Sequence, residues 1–393
     1  MKRIAIGFDG MCSDISLCSL TEKHLDEILY RGILPSQLIL SLKQDRDEEM
    51  TCEGLGITKK EFLEIYKNIS EISGITFDIH IGANCALETV TAANLLRSDL
   101  APENETMIDY LGFWSPETLR QVPEKIPQDF LSHARKIKNS EAISLIIPFE
   151  GRRSILSFGG DPPIRVLSKE LRSYLQSEVA NYIMKEKPNL FIIVGTAVTW
   201  SSANENDFRL LDKILDNCQR AGTRILCDLG GLGTWSHESL NNYFDVLSKA
   251  DILSMNESEL KIYYRERTGR EPLTTSARDL SIMVKEVINE GQGFLVHTPC
   301  FQFSYGLDGP IYQSLLFAGK AASYRAQNGE FPSATQVKNS NFRISRKGSR
   351  EIRDLPKDFH GVAGYSVDDI KNTVGLGDTW TCAFGLSYLG SLS

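Results

Sequence analysis

The stretch that is most informative about the fold runs from residue 371 to residue 380 and reads Lys371-Asn372-Thr373-Val374-Gly375-Leu376-Gly377-Asp378-Thr379-Trp380. Apolar residues continue behind it at helical spacing, so the sequence predicts a Gly-x-Gly turn that leads into a helix. The start of a helix leaves backbone N–H groups without partners and carries the positive end of the helix dipole. This pattern is typical of an anion site, and an aspartate beside it can accept a proton from an attacking hydroxyl. The alternative interpretation is that Asp378 only caps a buried helix.

Two further polar clusters follow predicted strands. Asn256 and Glu259 come after an apolar run, and His297 and Thr298 come after another. The spacing of Asn256 and Glu259 fits a capping box at the start of a helix. Their hard oxygen atoms also suit Mg²⁺, held through water beside a nucleotide phosphate. His297 is either a packing residue or a contact to a nucleotide.

The second half of the chain alternates between two kinds of segment. Apolar runs typical of strands cover Leu190–Val194, Arg224–Cys227, Ile252–Met255 and Phe294–Val296, and amphipathic stretches typical of helices cover Asp207–Ala221, His237–Ala250, Glu257–Thr268 and Ser276–Glu290. This alternation predicts an α/β fold with a doubly wound, mostly parallel sheet and helices on both faces. In such sheets ligands bind beyond the carboxyl ends of the strands, where Asn256, His297 and the Gly375 turn are all expected.

Taken in order, the segments Asn256 to Glu259, Val296 to Thr298 and Val374 to Thr379 resemble motifs of the ADP-dependent glucokinase/phosphofructokinase family, a branch of the ribokinase-like sugar kinases. Near the N-terminus, Ile4 to Asp14 is similar to that family's first strand and sugar-binding loop, and Gly82-Ala83-Asn84 is similar to its Gly-Gly-Asn segment. The resemblance implies a kinase of carbohydrate metabolism that transfers a phosphoryl group from ADP, with Mg²⁺, to a sugar or sugar phosphate.

The resemblance also implies roles for individual residues. Asp378 is expected to be the general base, while Gly375, Leu376 and Gly377 supply backbone N–H groups to the phosphoryl oxygens. The expected nucleotide-binding residues are His297, Thr298, Asn256, Thr373 and Val374. The expected substrate-binding residues are Asp14, Asn84, Glu88 and Arg165, the last as a clamp for a sugar phosphate. The expected metal-organising residues are Glu259, Asn256 and Asp228.

The domain organisation follows from the same resemblance. A large nucleotide-binding α/β domain is expected over residues 1–11, 79–104 and 169–393. A smaller α+β lid domain that binds the sugar is expected over residues 12–78 and 105–168. The short strands expected over Ala142–Pro148 and Ser154–Phe158 belong to this lid.

The sequence departs from the family at the strand before Asn256. Relatives carry a His-x-Glu there, whereas this chain has Asp228 at the end of the corresponding run. Two other functions therefore stay open. One is an ATP-dependent ribokinase-like sugar or nucleoside kinase, and the other is a catalytically impaired family member that binds sugar or nucleotide.

Composition narrows the class of protein further. The 393 residues carry a formal net charge of −8, which argues against binding nucleic acid through bulk electrostatics. The eight cysteines form no C-x-x-C pair, and apolar runs stay far shorter than a membrane span, so we expect free thiols and a cytoplasmic, membrane-free protein whose oligomeric state the sequence does not indicate. The polar segment from Lys320 to Arg350 is either a solvated surface excursion or a loop that brings a cation to nucleotide phosphates. Its basic residues include Arg325, Arg343, Arg346, Lys347 and Arg350.

Overall fold

The computed structural model describes residues 2–18, 20–43, 48–96, 106–138, 140–149, 152–159, 167–194, 200, 203–230, 232, 235–371 and 374–390. Within these ranges the strands are β1 (Lys2–Gly10), β2 (Cys12–Cys18), β3 (Glu48–Thr51), β4 (Thr76–Gly82), β5 (Thr106–Trp114), β6 (Arg135–Lys136), β7 (Ile143–Phe149), β8 (Arg152–Phe158), β9 (Leu190–Ile193), β10 (Arg224–Asp228), β11 (Ile252–Asn256), β12 (Gly293–His297), β13 (Phe301–Tyr305), β14 (Arg343–Ile344), β15 (His360–Ala363) and β16 (Tyr365–Ser366).

The helices of the same ranges are α1 (Glu22–Tyr30), α2 (Ser36–Lys43), α3 (Cys52–Leu55), α4 (Lys59–Ser70), α5 (Asn84–Leu96), α6 (Pro116–Gln121), α7 (Lys169–Tyr174), α8 (Ala180–Glu186), α9 (Glu205–Ala221), α10 (His237–Leu247), α11 (Glu257–Thr268), α12 (Ala277–Val287), α13 (Ile311–Asn328), α14 (Ala334–Asn339), α15 (Arg346–Glu351) and α16 (Leu376–Tyr388). A π-helical turn, Leu175–Val179, joins α7 to α8. Single 3₁₀ turns cover Gln128–Leu131 and Ile352–Asp354.

The larger sheet has nine strands in the order β15-β13-β12-β11-β10-β9-β1-β5-β6 among the described residues. The run from β12 to β6 is parallel, and β13 and β15 add an antiparallel edge. Because parallel strands need long crossovers, each connection carries a helix that covers a face of the sheet. The predicted mostly parallel α/β sheet is therefore confirmed.

Alternating strand residues divide the large domain into two cores. Ala5, Phe191 and Cys227 point to one face, where α7 to α12 pack. Ile4, Ile192 and their neighbours point to the other face, where α5, α13 and α16 pack. Successive side chains of a strand point to opposite faces of the sheet, which explains the alternation. Both faces are apolar because helices cover both of them.

The smaller sheet has five strands in the order β3-β8-β7-β2-β4 and a core of its own. Helices α1, α2 and α4 cover one side of it with residues such as Leu25, Leu38 and Phe62. Thr58 begins α4 with a capping box to Glu61, which fixes where that helix starts.

The division between the two sheets differs from the prediction in two segments. The expected lid piece 105–168 contributes β7 and β8 to the smaller sheet, but β5 and β6 pair within the larger sheet beside β1. Residues 76–82, which span the expected boundary at 79, form β4 of the smaller sheet. The chain therefore crosses between the sheets four times, as the predicted pieces imply, but two of the crossings lie at other residues.

Predicted element ends agree closely with the structure in the second half. Helix α11 has the predicted bounds, while the helix predicted over His237–Ala250 ends at Leu247.

No helix of the described ranges combines the length and apolar character needed to cross a membrane. The seven described cysteine side chains are free thiols, five of them buried, as the sequence predicted.

The turn between β4 and α5 contains a residue in an unfavourable conformation. Ala83 has a φ of 72°, in the left-handed region that favours glycine, at the position where the resembled family carries the second glycine of Gly-Gly-Asn. The left-handed conformation costs an L-residue about 1–2 kcal/mol. Ala83 is also buried, so the surrounding fold holds it in place.

We expect Ala83→Gly to stabilise the protein by about 0.5–1 kcal/mol, because relief of the strained φ outweighs the greater freedom of glycine in the unfolded chain. Ala86→Gly is the matched control, because Ala86 is equally buried but lies inside α5. It should destabilise the protein by about 0.5–1 kcal/mol or more. Chemical unfolding followed by circular dichroism measures both changes, and equal destabilisation by the two variants would contradict the strain at Ala83.

Candidate active site

A cavity of about 690 Å³ lies where the carboxyl ends of the parallel strands face the smaller sheet. Its described lining comes from both sheets and from α13, α16 and the segment around β16. Asn256, His297, Gly375 and Asp378 all line it, so the structure brings together the three clusters that lie far apart in the sequence. The convergence follows from the parallel sheet, whose strands all end at the same edge.

The glycine turn of the opening motif begins helix α16. Gly375 is the N-cap, with a φ of 65°, and no side chain caps the helix start. A Cβ atom on Gly375 would lie 2.8 Å from Cδ1 of Leu87, so both the backbone angle and the space require glycine. The first N–H groups of the helix therefore face the cavity wall without side-chain competitors.

Asp378 lies three residues beyond Gly375, inside the first turn of α16. The N-cap position belongs to Gly375, so Asp378 is the third residue of the helix rather than its N-cap residue. The side chain of Asp378 is 7% exposed and lines the cavity. A carboxylate in this position is held beside the helix N-terminus and within reach of a bound ligand.

Arg325 lies directly behind the glycine turn. It is 1% exposed, its Nε donates to the carbonyl oxygen of Val374 at 3.1 Å, and its guanidinium lies 3.7 Å from the ring centre of Phe331. Burial lowers the pKa of Arg325 to about 10, an effect that the carboxylates of Asp378, Glu124 and Asp14 oppose, so the side chain stays charged at neutral pH.

The solvated-surface interpretation of residues 320–350 is therefore wrong at Arg325, which belongs to helix α13 rather than to a loop. The solvated-surface interpretation agrees with the other basic residues of that segment, which are exposed: Arg343, Arg346, Lys347 and Arg350. Sequence reasoning missed the buried position because arginine is rarely buried without partners. One available signal was the run of small residues around Arg325 at helical spacing.

Three carboxylates meet beneath the cavity. Glu88 from α5, Asp228 from β10 and Asp378 from α16 each place one oxygen atom within 4.8 Å of the other two. Burial, followed by the nearby charges of Asp228 and Asp378, raises the pKa of Glu88 well above its usual range. Burial also raises the pKa of Asp228 to about 6, although hydrogen bonds from Thr381, Ser254 and the Leu229 amide oppose the rise.

The position of Glu88 differs from its predicted role in binding the sugar. Its neighbours Ala83 and Leu87 line the cavity, whereas Glu88 is 0% exposed and points towards Asp228 and Asp378. One residue along a helix turns the side chain by about 100°, which accounts for the difference.

Asn256 and Glu259 form the capping box that the sequence allowed. The Asn256 Oδ1 accepts hydrogen bonds from the amides of Ser258 and Glu259, and the Glu259 Oε2 accepts one from the Asn256 amide at 2.8 Å. Both residues also line the cavity, so the cap and a ligand-facing position coexist. The Oδ1 of Asn256 already accepts two hydrogen bonds from backbone amides. Of the three residues predicted to organise a metal, Glu259 and Asp228 therefore offer carboxylates beside the cavity.

His297 packs against Trp380, with the ring centres 4.9 Å apart. Burial lowers the pKa of His297 to about 4, so the ring is neutral, and its Nε2 is buried without a hydrogen-bond partner in the structure. Gln302 lies opposite His297 on β13. The Trp380 Nε1 donates to the Gln302 Oε1 at 2.6 Å, which leaves the Gln302 Nε2 unpartnered as well. Both residues line the cavity, and these two nitrogen atoms lie buried beside its wall.

Two other predicted nucleotide contacts have backbone roles. The Thr298 hydroxyl accepts from the amides of Cys300 and Phe301 and fixes the turn between β12 and β13. The Val374 carbonyl is held by Arg325.

Helix α13 lines the same region with a face that the sequence did not single out. This face consists of Gly319, Ala322 and Ala326. Their small side chains keep that part of the cavity open.

Asp14 stands on the opposite wall, on strand β2 of the smaller sheet. It is 8% exposed, and the Cys12 thiol donates to its Oδ1 at 3.2 Å. A Cβ on Gly82 would lie 1.9 Å from the same oxygen, so glycine at 82 is required for Asp14 to occupy this position. Arg165, Thr373 and the side chain of Asn84 lie outside the described residues, and their roles stay predictions.

No protein-family model matches the sequence, and no curated protein matches it. Solved structures match in fold. The chain superposes on a phosphofructokinase from Pyrococcus horikoshii OT3 with AMP at a TM-score of 0.65 and 13% identity, covering 99% of this chain and 98% of that one. For an ADP-dependent kinase in complex with fructose-6-phosphate and ADPbetaS, the TM-score is 0.67 at 13% identity, covering 100% and 94%. An adenosine kinase from Sinorhizobium meliloti gives a TM-score of 0.53 at 13% identity, covering 98% and 87%.

At 13% identity, these superpositions show a shared architecture and nothing about activity. Function depends on the residues of the site. The α/β architecture predicted from the sequence is shared with these structures over nearly the whole chain. This protein therefore has the fold of the ADP-dependent phosphofructokinases.

Proposed function

We propose that the protein is an ADP-dependent sugar kinase with Asp378 as its general base. The observation that carries the proposal is the position of Asp378 in the first turn of α16, beside an uncapped helix start and inside a cavity walled by both sheets. The fold shared with an ADP-dependent kinase complexed with fructose-6-phosphate and ADPbetaS supports it.

In the proposed reaction, a sugar hydroxyl attacks the terminal phosphorus of ADP. A bond forms between the hydroxyl oxygen and that phosphorus, the bond from the phosphorus to the bridging oxygen breaks, and AMP leaves. Asp378 accepts the hydroxyl proton. The amides of Leu376 and Gly377 are placed to stabilise charge on the migrating phosphoryl group.

The nucleotide is assigned to the wall formed by β12, β13 and α13. The unpartnered Nε2 atoms of His297 and Gln302 provide polar contacts there, and the small residues of α13 leave room for a planar base. The same cavity extends from His297 and Gln302 to the glycine turn. This continuity supports a diphosphate that lies between the base and the turn.

The acceptor is assigned to the wall that carries Asp14. A buried carboxylate that accepts hydrogen bonds is a common partner for sugar hydroxyls. Arg165 and Asn84 remain the proposed additional contacts, with Arg165 as the clamp if the acceptor is a sugar phosphate.

A divalent cation fits the donor set on the nucleotide side. Asp228 and Glu259 offer hard carboxylate oxygens beside the cavity, whereas the side-chain oxygen of Asn256 is already bonded to two amides. Mg²⁺ would be held by Asp228 and, through water, by Glu259. When bound, it would neutralise charge on the phosphates.

A phosphoryl-acceptor screen with ADP and ATP as separate donors tests the function. We expect AMP and a phosphorylated sugar from ADP, both measured by chromatography. ADP as the product from ATP would instead support the ATP-dependent kinase. Ligand binding by calorimetry without any product from either donor would support the impaired, binding-only protein.

Replacing Asp378 with asparagine should lower kcat by about 10²–10⁴-fold, because the proton acceptor is lost. The dissociation constant for ADP should change by less than about threefold, since uncharged contacts to the nucleotide remain. Steady-state kinetics and calorimetry measure the two quantities, and Asp129→Asn, at an exposed aspartate of the first 3₁₀ turn, is the control. An unchanged kcat in Asp378→Asn would refute the proposed mechanism.

The variant Asp14→Asn should raise KM for the sugar by about 10–100-fold, because hydrogen bonds to a charged group contribute about 1.5–3 kcal/mol. KM for ADP should stay nearly constant, since Asp14 is on the opposite wall. The matched control is Asp26→Asn, an exposed aspartate of α1 whose ion pair with Lys43 lies at the surface. A rise in KM for ADP alone would place the sugar elsewhere.

A further inference from the structure

Glu88 is the least expected ionisable residue of the molecule. It lies in α5 between Leu87 and Thr89, it is 0% exposed, and neither of its carboxylate oxygens has a hydrogen-bond partner in the structure. A buried carboxylate without partners is strongly unfavourable in either protonation state, because its polar atoms have lost water and gained nothing. The side chain is aimed at two more carboxylates, Asp228 and Asp378.

The surroundings of these three residues supply little positive charge. Asp228 receives hydrogen bonds from Ser254, Thr381 and the Leu229 amide, all of which are neutral. Arg325 is the nearby cation: it interacts electrostatically with Asp378, and its described hydrogen bonds go to the Val374 carbonyl and the Thr379 hydroxyl. The described residues lining the cavity above include five carboxylates and no lysine or arginine. Several negative charges are thus concentrated here.

We propose that Glu88, Asp228 and Asp378 bind a resident divalent cation such as Mg²⁺ or Mn²⁺, even when no nucleotide is present. It shares Asp228 with the nucleotide-side cation described above, but it is bound before any nucleotide arrives. The inference goes beyond the proposed kinase reaction and does not depend on it.

The geometry suits a hard cation. Two ligand oxygens on opposite sides of an ion are separated by twice the metal–oxygen distance, about 4.2 Å for Mg²⁺ and about 4.8 Å for Ca²⁺. The three ligand oxygens lie within 4.8 Å of one another, an upper limit that matches the larger of these separations, and a smaller ion would draw the carboxylates closer together. Carboxylates are the preferred ligands of Mg²⁺, Ca²⁺ and Mn²⁺, and water can complete the coordination from the cavity side.

The hydrogen bonds around Asp228 act as outer support for such a site. Ser254 and Thr381 hold its carboxylate from β11 and α16, and their hydroxyls lie 3.0 Å apart. Outer partners of this kind orient metal-binding carboxylates. Because Glu88 has no such partners, the ion itself would fix its orientation.

Mn²⁺ binding to the nucleotide-free protein tests the proposal. Electron paramagnetic resonance measures free Mn²⁺ directly, and we expect about one bound ion per chain that excess Mg²⁺ displaces. Mn²⁺ should also raise the temperature of thermal unfolding. Glu88→Gln preserves the shape of the side chain, and it should weaken Mn²⁺ binding by about tenfold or more and abolish the thermal effect.

Glu238→Gln, at an exposed position of α10, removes the same charge and should bind Mn²⁺ like the wild type. If Glu88→Gln does not fold, Asp228→Asn provides the same test from β10. Absence of Mn²⁺ binding by the nucleotide-free wild type, or equal binding by Glu88→Gln, would overturn the proposal and indicate that Glu88 is a buried neutral acid. Mn²⁺ binding without kinase activity would leave this proposal intact and refute the proposed function.

Discussion

The burial of helix α16 is the constraint on which the rest of the site depends. Every residue from Asp378 to Leu386 is buried, because the helix is enclosed by α5, α13 and the central strands of the large sheet. Gly385 lets it approach β9, where a Cβ would lie 3.1 Å from Leu190. A helix held on all sides cannot shift its first turn, so the position of Asp378 and of the glycine amides is set by core packing rather than by a loop.

The sequence was a good guide wherever the signal was local. Strand and helix alternation predicted the parallel sheet, and that sheet alone explains why Asn256, His297 and Asp378 line one cavity. The capping box at Asn256 was also readable, because it depends on residues three positions apart. Spacing alone did not show whether the capping box keeps Asn256 and Glu259 away from a ligand. In the structure the cap uses some of their oxygens, and both residues still line the cavity.

Other features depended on contacts between distant segments and were not readable in this way. The rotation of α5 against α16 decides that Leu87 faces the cavity and Glu88 faces two aspartates. Arg325 was expected in a solvated segment because its local sequence is polar, yet tertiary packing buries it against Phe331. The crossing of β5 and β6 into the large sheet likewise reflects pairing with β1, which no local pattern encodes.

The smaller sheet has a hydrophobic core separate from the two cores of the large sheet. Asp14 therefore depends for its stability on a different set of packed residues from those that hold His297 and the glycine turn. Mutations that reshape the wall around β2, β7 and β8 leave the opposite wall undisturbed, because distant sites in separate cores contribute independently. Substitutions on the wall that carries Asp14 can therefore change its shape while the packing that holds the glycine turn stays the same.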